Sequence, residues 1–149
     1  MQKKIKRPKY NNKKVHADGY VFDSKDEYIL YQLLKKQKEE GLVESFTLHP
    51  KFEIQPKFSY MGVNYQKITY SADFDIQYYD RHRLVIDVKG TASEQAVLRR
   101  KMFMYKYPDI ELIWISRNKK YGDENGWIDY DALQKIRRKN KKEKANEDT

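Results

Sequence analysis

Apolar residues along this chain recur with two different spacings. From residue 24 to 39, Leu30, Tyr31 and Leu34 fall at helical intervals, with Glu27 on the edge of the same stripe. Ser24 reads as the N-cap, Glu27 as its capping-box partner, and Gly41 ends the helix. Between Pro50 and Pro56 the pattern changes to alternation, with Phe52 and Ile54 on one face, and Pro56 argues for an edge strand. A short extended piece over 58–63 follows, with a turn near Met61-Gly62. The longest alternation, over 67–79, predicts one strand: Ile68, Tyr70, Ala72, Phe74, Ile76 and Tyr78 on one face, and Thr69, Ser71, Asp73, Asp75 and Gln77 on the other. It returns through Asp80-Arg81-His82 into a strand over 83–89. If Asp73 stands opposite Asp87, paired residue numbers sum to 160 and the loop is Tyr79-Asp80-Arg81. Thr91 and Glu94 then open a helix over 92–106, stopped by Pro108. The apolar run at 112–115 suits a buried strand within 109–116, and Asp129 caps a last helix from 130. Helix, three or four strands, helix, strand, helix is the order of an α/β sandwich around a mixed sheet.

Composition narrows the chemistry. With no cysteine among 149 residues, disulfides, thiolate zinc and a thiol nucleophile are excluded. His16, His49 and His82 show no metal-ligand spacing and read as surface or packing residues. There is no Gly-rich phosphate loop. With no run of eighteen apolar residues and no apolar segment behind the basic start, the expectation is a soluble, cytoplasmic protein. The net charge of +9 is unevenly spread: residues 1–14 carry seven basic residues and no acid, residues 134–149 seven against three, and residues 15–133 seventeen against nineteen. This divides the chain into a basic arm (1–14), a near-neutral domain (15–133) and a basic tail (134–149). Such arms, Lys13 and Lys14 included, suit binding to a phosphate backbone, although charge runs also serve as solvated ends.

Against that background, two acids and a lysine stand out. Asp73, then Asp87-Val88-Lys89-Gly90 after Leu84-Val85-Ile86, put carboxylates at the ends of neighbouring strands. In a strand Asp87 and Lys89 share one face, while Leu84, Ile86 and Val88 share the other, so the acids are expected on a polar face. Mg2+ takes hard oxygen ligands and keeps several waters, and Asp73, Asp87 and the Val88 carbonyl make up a sufficient protein share. Lys89 then orients or deprotonates an attacking water, or holds a phosphate. Each residue also has a bland explanation: D-x-K is often a cross-strand ion pair, Asp73 a surface acid, and Glu27 only a cap. Their coincidence in one chain order favours a site.

That order resembles the PD-(D/E)xK nuclease superfamily, with its restriction-endonuclease-like fold. More narrowly, the chain is similar to a phage-borne branch long filed as a domain of unknown function. The likeness covers about residues 10–130 and rests on Lys9-Tyr10, Gly19, Phe22-Asp23-Ser24-Lys25 with Glu27, His49-Pro50-Lys51-Phe52, Gln55-Pro56, Ile68-Thr69-Tyr70, Ala72-Asp73-Phe74 and Asp87-Val88-Lys89-Gly90. It implies that Asp73 is the acid of the "PD" half, with Ala72 in place of proline. It makes Asp87 and Lys89 the "(D/E)xK" half, Glu27 a first-helix acid assisting the metal, and Lys101 a basic residue approaching DNA. The resemblance implies an Mg2+-dependent DNA endonuclease in which Mn2+ can substitute, of phage or prophage origin, acting on branched recombination or replication intermediates; a homodimer is compatible with it. The competing expectations are a non-catalytic nucleic-acid-binding protein that works through its basic arms, and a purely structural protein.

Overall fold

The computed structural model describes residues 13–149, so most of the expected N-terminal arm lies outside the described residues. The first elements among the described residues form a hairpin the hydrophobic pattern did not suggest, β1 (Val15–Ala17) and β2 (Tyr20–Phe22). Its two-residue loop, Asp18-Gly19, has both φ angles positive, as a tight hairpin turn requires. Helix α1 (Lys25–Glu39) follows, with Ser24 Oγ accepting the Glu27 amide at 3.2 Å. The reciprocal half of the expected capping box is displaced by one residue, because the Glu27 carboxylate accepts from the amide of Asp23.

Strands β3 (Val43–Leu48), β4 (Lys51–Gln55), β5 (Phe58–Tyr60), β6 (Val63–Tyr65), β7 (Ile68–Ser71), β8 (Phe74–Tyr78) and β9 (Arg83–Val88) lead to helix α2 (Glu94–Lys106). Strands β10 (Glu111–Arg117) and β11 (Trp127–Asp129) and helix α3 (Tyr130–Glu147) complete the chain. The main sheet has five strands in the order β11-β10-β9-β8-β3, and only the β9/β10 pair is parallel. The fold is thus the expected mixed α/β arrangement. Strand β3 was not foreseen because a bulge near Glu44 displaces the inward positions from Val43 to Phe46 and Leu48, which breaks the alternation. Helix α2 starts two residues later than expected, its cap being Ser93, whose Oγ accepts the Ala96 amide. Asp129 caps α3 as expected, and that helix runs unbroken from the domain into the basic tail.

The expected single strand over 67–79 is broken, and the break organises the molecule. Pairs between β3 and β8 (Leu48 with Phe74) and between β4 and β7 (Lys51 with Ser71) have the same residue-number sum, 122, so both belong to one antiparallel ribbon. At the joint, His49 N–H donates to the Asp73 carbonyl at 2.9 Å and Ala72 N–H to the Pro50 carbonyl at 3.1 Å. Hydrogen bonding therefore continues through the bend while the ribbon changes direction. Phe74 and Ile76 pack with α1 residues Leu30, Tyr31 and Leu34 on one face of the sheet. Tyr70 and Ala72, expected on that same face, pack instead with Val85 and Phe103 of α2.

The β8/β9 register has the expected sum of 160, from Phe74 with Ile86 to Gln77 with Arg83, and Tyr78 N–H donates to the His82 carbonyl. Both faces of the sheet are covered, which corrects the expectation of a polar face on β9: Val85 and Asp87 point to the α2 side, Ile86 to the α1 side, and Asp87 is only 3% exposed. Among the described residues no helix is long and apolar enough to cross a membrane.

Phe103 is fully buried between Phe52, Tyr70 and Tyr107, with ring centroids 4.9–5.1 Å away. Phe103→Ala is expected to cost about 3–5 kcal/mol in urea denaturation. The same change at Tyr105, 91% exposed on the same helix, should leave the midpoint nearly unmoved.

Candidate active site

Three acids meet where the ribbon bends. Asp73 belongs to the bend itself: its amide donates to the Ile86 carbonyl at 3.0 Å, and its Oδ2 accepts the Val88 amide at 2.7 Å. Its carboxylate thus takes over the edge of β9 that β8 leaves. The N–H and C=O of one strand residue leave on the same side, so the Val88 carbonyl faces that edge too. Glu27 approaches Asp73 from the first turn of α1, their carboxylate oxygens within 4.8 Å of one another, and the charge of Asp87 on β9 acts on the Asp73 carboxyl from the other side.

His49 joins them. Ligand atoms of Glu27, His49 and Asp73 lie within 4.8 Å of one another, a spacing at which one cation could be held. His49 gives no spacing signal in the sequence, because it arrives by pairing with Asp73 across the ribbon. Its backbone, at φ +50°, is in the left-handed region. A non-glycine residue there is strained, and the ribbon hydrogen bonds on either side hold it in place.

Asp87 sits in a network of its own. Trp114 Nε1 donates to Tyr70 Oη at 2.8 Å, Tyr70 Oη donates to Asp87 Oδ2 at 2.7 Å, and Lys89 Nζ lies 3.1 Å from the same oxygen. Asp87 and Trp114 are register partners in the parallel β9/β10 pair, which places the indole beside the acid. Lys89 Nζ and the Arg100 guanidinium lie 5.0 and 3.9 Å from the Trp114 ring centre, and Arg100 also bonds Asp131 of α3 at 2.9 Å. Trp114 and Arg100 carry no site signal in the sequence, and Tyr70, though part of the Ile68-Thr69-Tyr70 motif, has no site role there, since each satisfies an apolar or surface pattern by itself.

The electrostatics follow from crowding. Burial, then the charges of Asp87 and Glu27, push the Asp73 carboxyl up to about 9, against the pull of the Val88 amide. Glu27 is also raised, chiefly by burial. Tyr70 is held above its ordinary value by burial and by Asp87, so it remains a hydrogen-bond donor.

Of the other expected residues, Lys13 and Lys14 are exposed just before β1. Lys101 lies on the outer part of α2 and lines an apolar trough with Ile54 and Leu98. The α2 residues beside Asp87 and Lys89 are instead Gln95, Ala96 and Arg99, which line a cleft of about 180 Å3 with Tyr70 and Ser71.

The chain belongs to the family described as Protein of unknown function (DUF1064), matched over residues 7–123. That span contains Glu27, His49, Asp73, Asp87 and Lys89 and stops short of β11 and α3. A search of curated proteins found no match to the chain.

The crowding has a measurable consequence. A carboxyl whose folded pKa is raised favours folding at low pH, and that contribution is lost as pH rises through the folded value. In EDTA, stability should therefore fall between about pH 4 and about pH 9 as Asp73 and Glu27 ionise. Asp73→Asn should flatten the fall and raise the melting temperature at pH 8, followed by circular dichroism.

Proposed function

We propose that this protein is a metal-dependent DNA endonuclease of the PD-(D/E)xK class. The observation that carries the reading is the convergence of Glu27, Asp73 and Asp87 with Lys89 as the ammonium at the cluster. Buried like charges are costly, and a donor set of this kind is what a hard divalent cation neutralises. Asp73, Asp87 and the Val88 carbonyl would hold Mg2+, with Glu27 assisting, and His49 adds a nitrogen donor that Mn2+ accepts more readily. The cation would supply charge neutralisation at the phosphate and an acidified water.

The protein groups then divide the remaining work. Tyr70 and Trp114 fix the Asp87 carboxylate through Oδ2. Lys89, paired to that oxygen and 21% exposed, would orient a water or a phosphate oxygen at the mouth of the site. The mixed sheet, with an antiparallel ribbon leading into a parallel β9/β10 pair, supports a restriction-endonuclease-like relationship. A non-catalytic nucleic-acid-binding role explains the basic ends, but it gives no reason to crowd three acids against phosphate.

Incubation of the protein with linear, branched and single-stranded DNA, with and without Mg2+ or Mn2+, tests the reading. Metal-dependent cleavage is expected, and its absence on every substrate would overturn the proposal. Asp87→Asn should abolish cleavage together with metal binding measured by calorimetry. Lys89→Ala should abolish cleavage while leaving metal binding largely intact. Glu27→Gln, which preserves a capping-box side chain, should lower the rate by at least about tenfold at little change in melting temperature.

A further inference from the structure

Beyond the bend, the ribbon leaves the main sheet and ends in the β5–β6 hairpin, which forms a separate two-stranded sheet. All six of its strand residues are exposed. Phe58 and Tyr65 stack across it with centroids 5.0 Å apart and planes 12° apart. At its tip Tyr60 is 63% and Met61 86% exposed, and the tight turn at Met61-Gly62 has both φ angles positive. An apolar surface this open on a projecting hairpin suggests a binding site. Beside it, the ribbon and α2 enclose a trough of about 520 Å3 lined by Ile54, Pro56, Leu98 and Met102, with Lys101 and Lys106 also on its wall.

Charge identifies the occupant. Residues 51–71 hold three lysines against one glutamate, and residues 94–106 four basic residues against one glutamate, a combined +5. The rest of the 15–133 domain holds ten basic residues against seventeen acids, or −7. The domain's balance of −2 thus conceals a segregated distribution: Arg100 is paired with Asp131 at the candidate site, but Lys57 and Lys67 flank the aromatic hairpin in the chain and Lys101 and Lys106 stand on the trough wall. A second copy would bring like charge against like charge, whereas a polyanion with flat apolar groups matches both features. Helix α2 also links the two regions: Gln95 and Arg99 line the cleft with Asp87 and Lys89, and Leu98 and Met102 line the trough.

We propose that the β5–β6 hairpin and the trough beside α2 bind an unpaired stretch of nucleic acid, its bases stacking on Tyr60 and the Phe58–Tyr65 pair and its phosphates meeting Lys57, Lys67 and Lys101. Bases within a duplex hide their faces, so an aromatic surface discriminates in favour of single-stranded or branched substrate. The inference deepens the nuclease reading by naming its substrate class and rests on that reading for the chemistry, although the binding it describes requires no metal.

Fluorescence anisotropy with the full chain in EDTA tests it, using a labelled oligothymidine, a forked duplex with single-stranded arms, and a fully paired duplex. The wild type should prefer the first two. Tyr60→Ala should weaken both by about tenfold and the paired duplex by less than about twofold, and Tyr60→Phe should restore binding. Lys57→Ala with Lys67→Ala should weaken binding to all three and lower the salt slope on the oligothymidine by roughly 0.7 per lysine. Equal affinity of wild type and Tyr60→Ala for the single strand would overturn the proposal. So would conversion of a dimer to monomers by Tyr60→Ala at unchanged single-strand affinity, which would assign the hairpin to a second copy. The two readings fail separately: Tyr60-dependent binding without cleavage in Mg2+ would remove only the nuclease reading, and cleavage without that binding would remove only this one.

Discussion

The structure depends on a bend that keeps its register. Residues 43–55 and 68–78 form one antiparallel ribbon, and at His49-Pro50 opposite Ala72-Asp73 it turns without a break in its hydrogen bonding. Before the bend its apolar side chains complete the cluster under α1, and beyond it they complete the cluster under α2. A straight ribbon would leave one of those clusters without its strand partner. The bend also withdraws β8 from the edge of β9, and the Asp73 carboxylate takes the vacated position against the Val88 amide. Fold and candidate site thus share one constraint, and the strained backbone at His49 lies at its centre.

The acids are held at a cost that the surrounding structure supports. Glu27 is anchored by the start of α1 and the Asp23 amide, Asp73 by the ribbon and β9, and Asp87 by Tyr70 and Lys89. Each carboxylate has partners that would be local stabilising features if it stood alone. Together the acids repel, and the result is an Asp73 carboxyl that holds its proton far above the usual carboxylate range. Trp114 ties this arrangement to the rest of the fold, since its indole donates to Tyr70, receives Arg100 on its ring, and packs edge-on against Tyr130 of α3. A substitution there would disturb Asp87 without touching it.

Much of this was legible in the residue pattern. The α1 cap, the β8/β9 register and the cap of α3 follow from local spacing, because neighbours along a helix or across a tight hairpin are set by sequence separation. The candidacy of Glu27, Asp73, Asp87 and Lys89 rests instead on their order along the chain and on the family resemblance, each having a bland local explanation. The β1–β2 hairpin has no place in the hydrophobic reading, although Asp18-Gly19 is the residue pair a two-residue hairpin loop favours. Strand β3 was harder to see, because its bulge disrupts the period on which strand recognition depends.

The sequence by itself determined most element types and the β8/β9 register, through periodicities of a few residues, and offered the candidate acids through their order along the chain. Only the tertiary structure decided that His49 stands beside Glu27 and Asp73, that Tyr70 and Trp114 hold Asp87, and that the ribbon packs on both faces of the sheet. It also decided that Lys101 and Lys106 of α2 share a trough with Ile54 and Pro56 of the ribbon. The physical reason is the same throughout. Alternation specifies which side chains share a side of a ribbon, but where that side points depends on a bend set by long-range packing against two helices, and no local spacing encodes it.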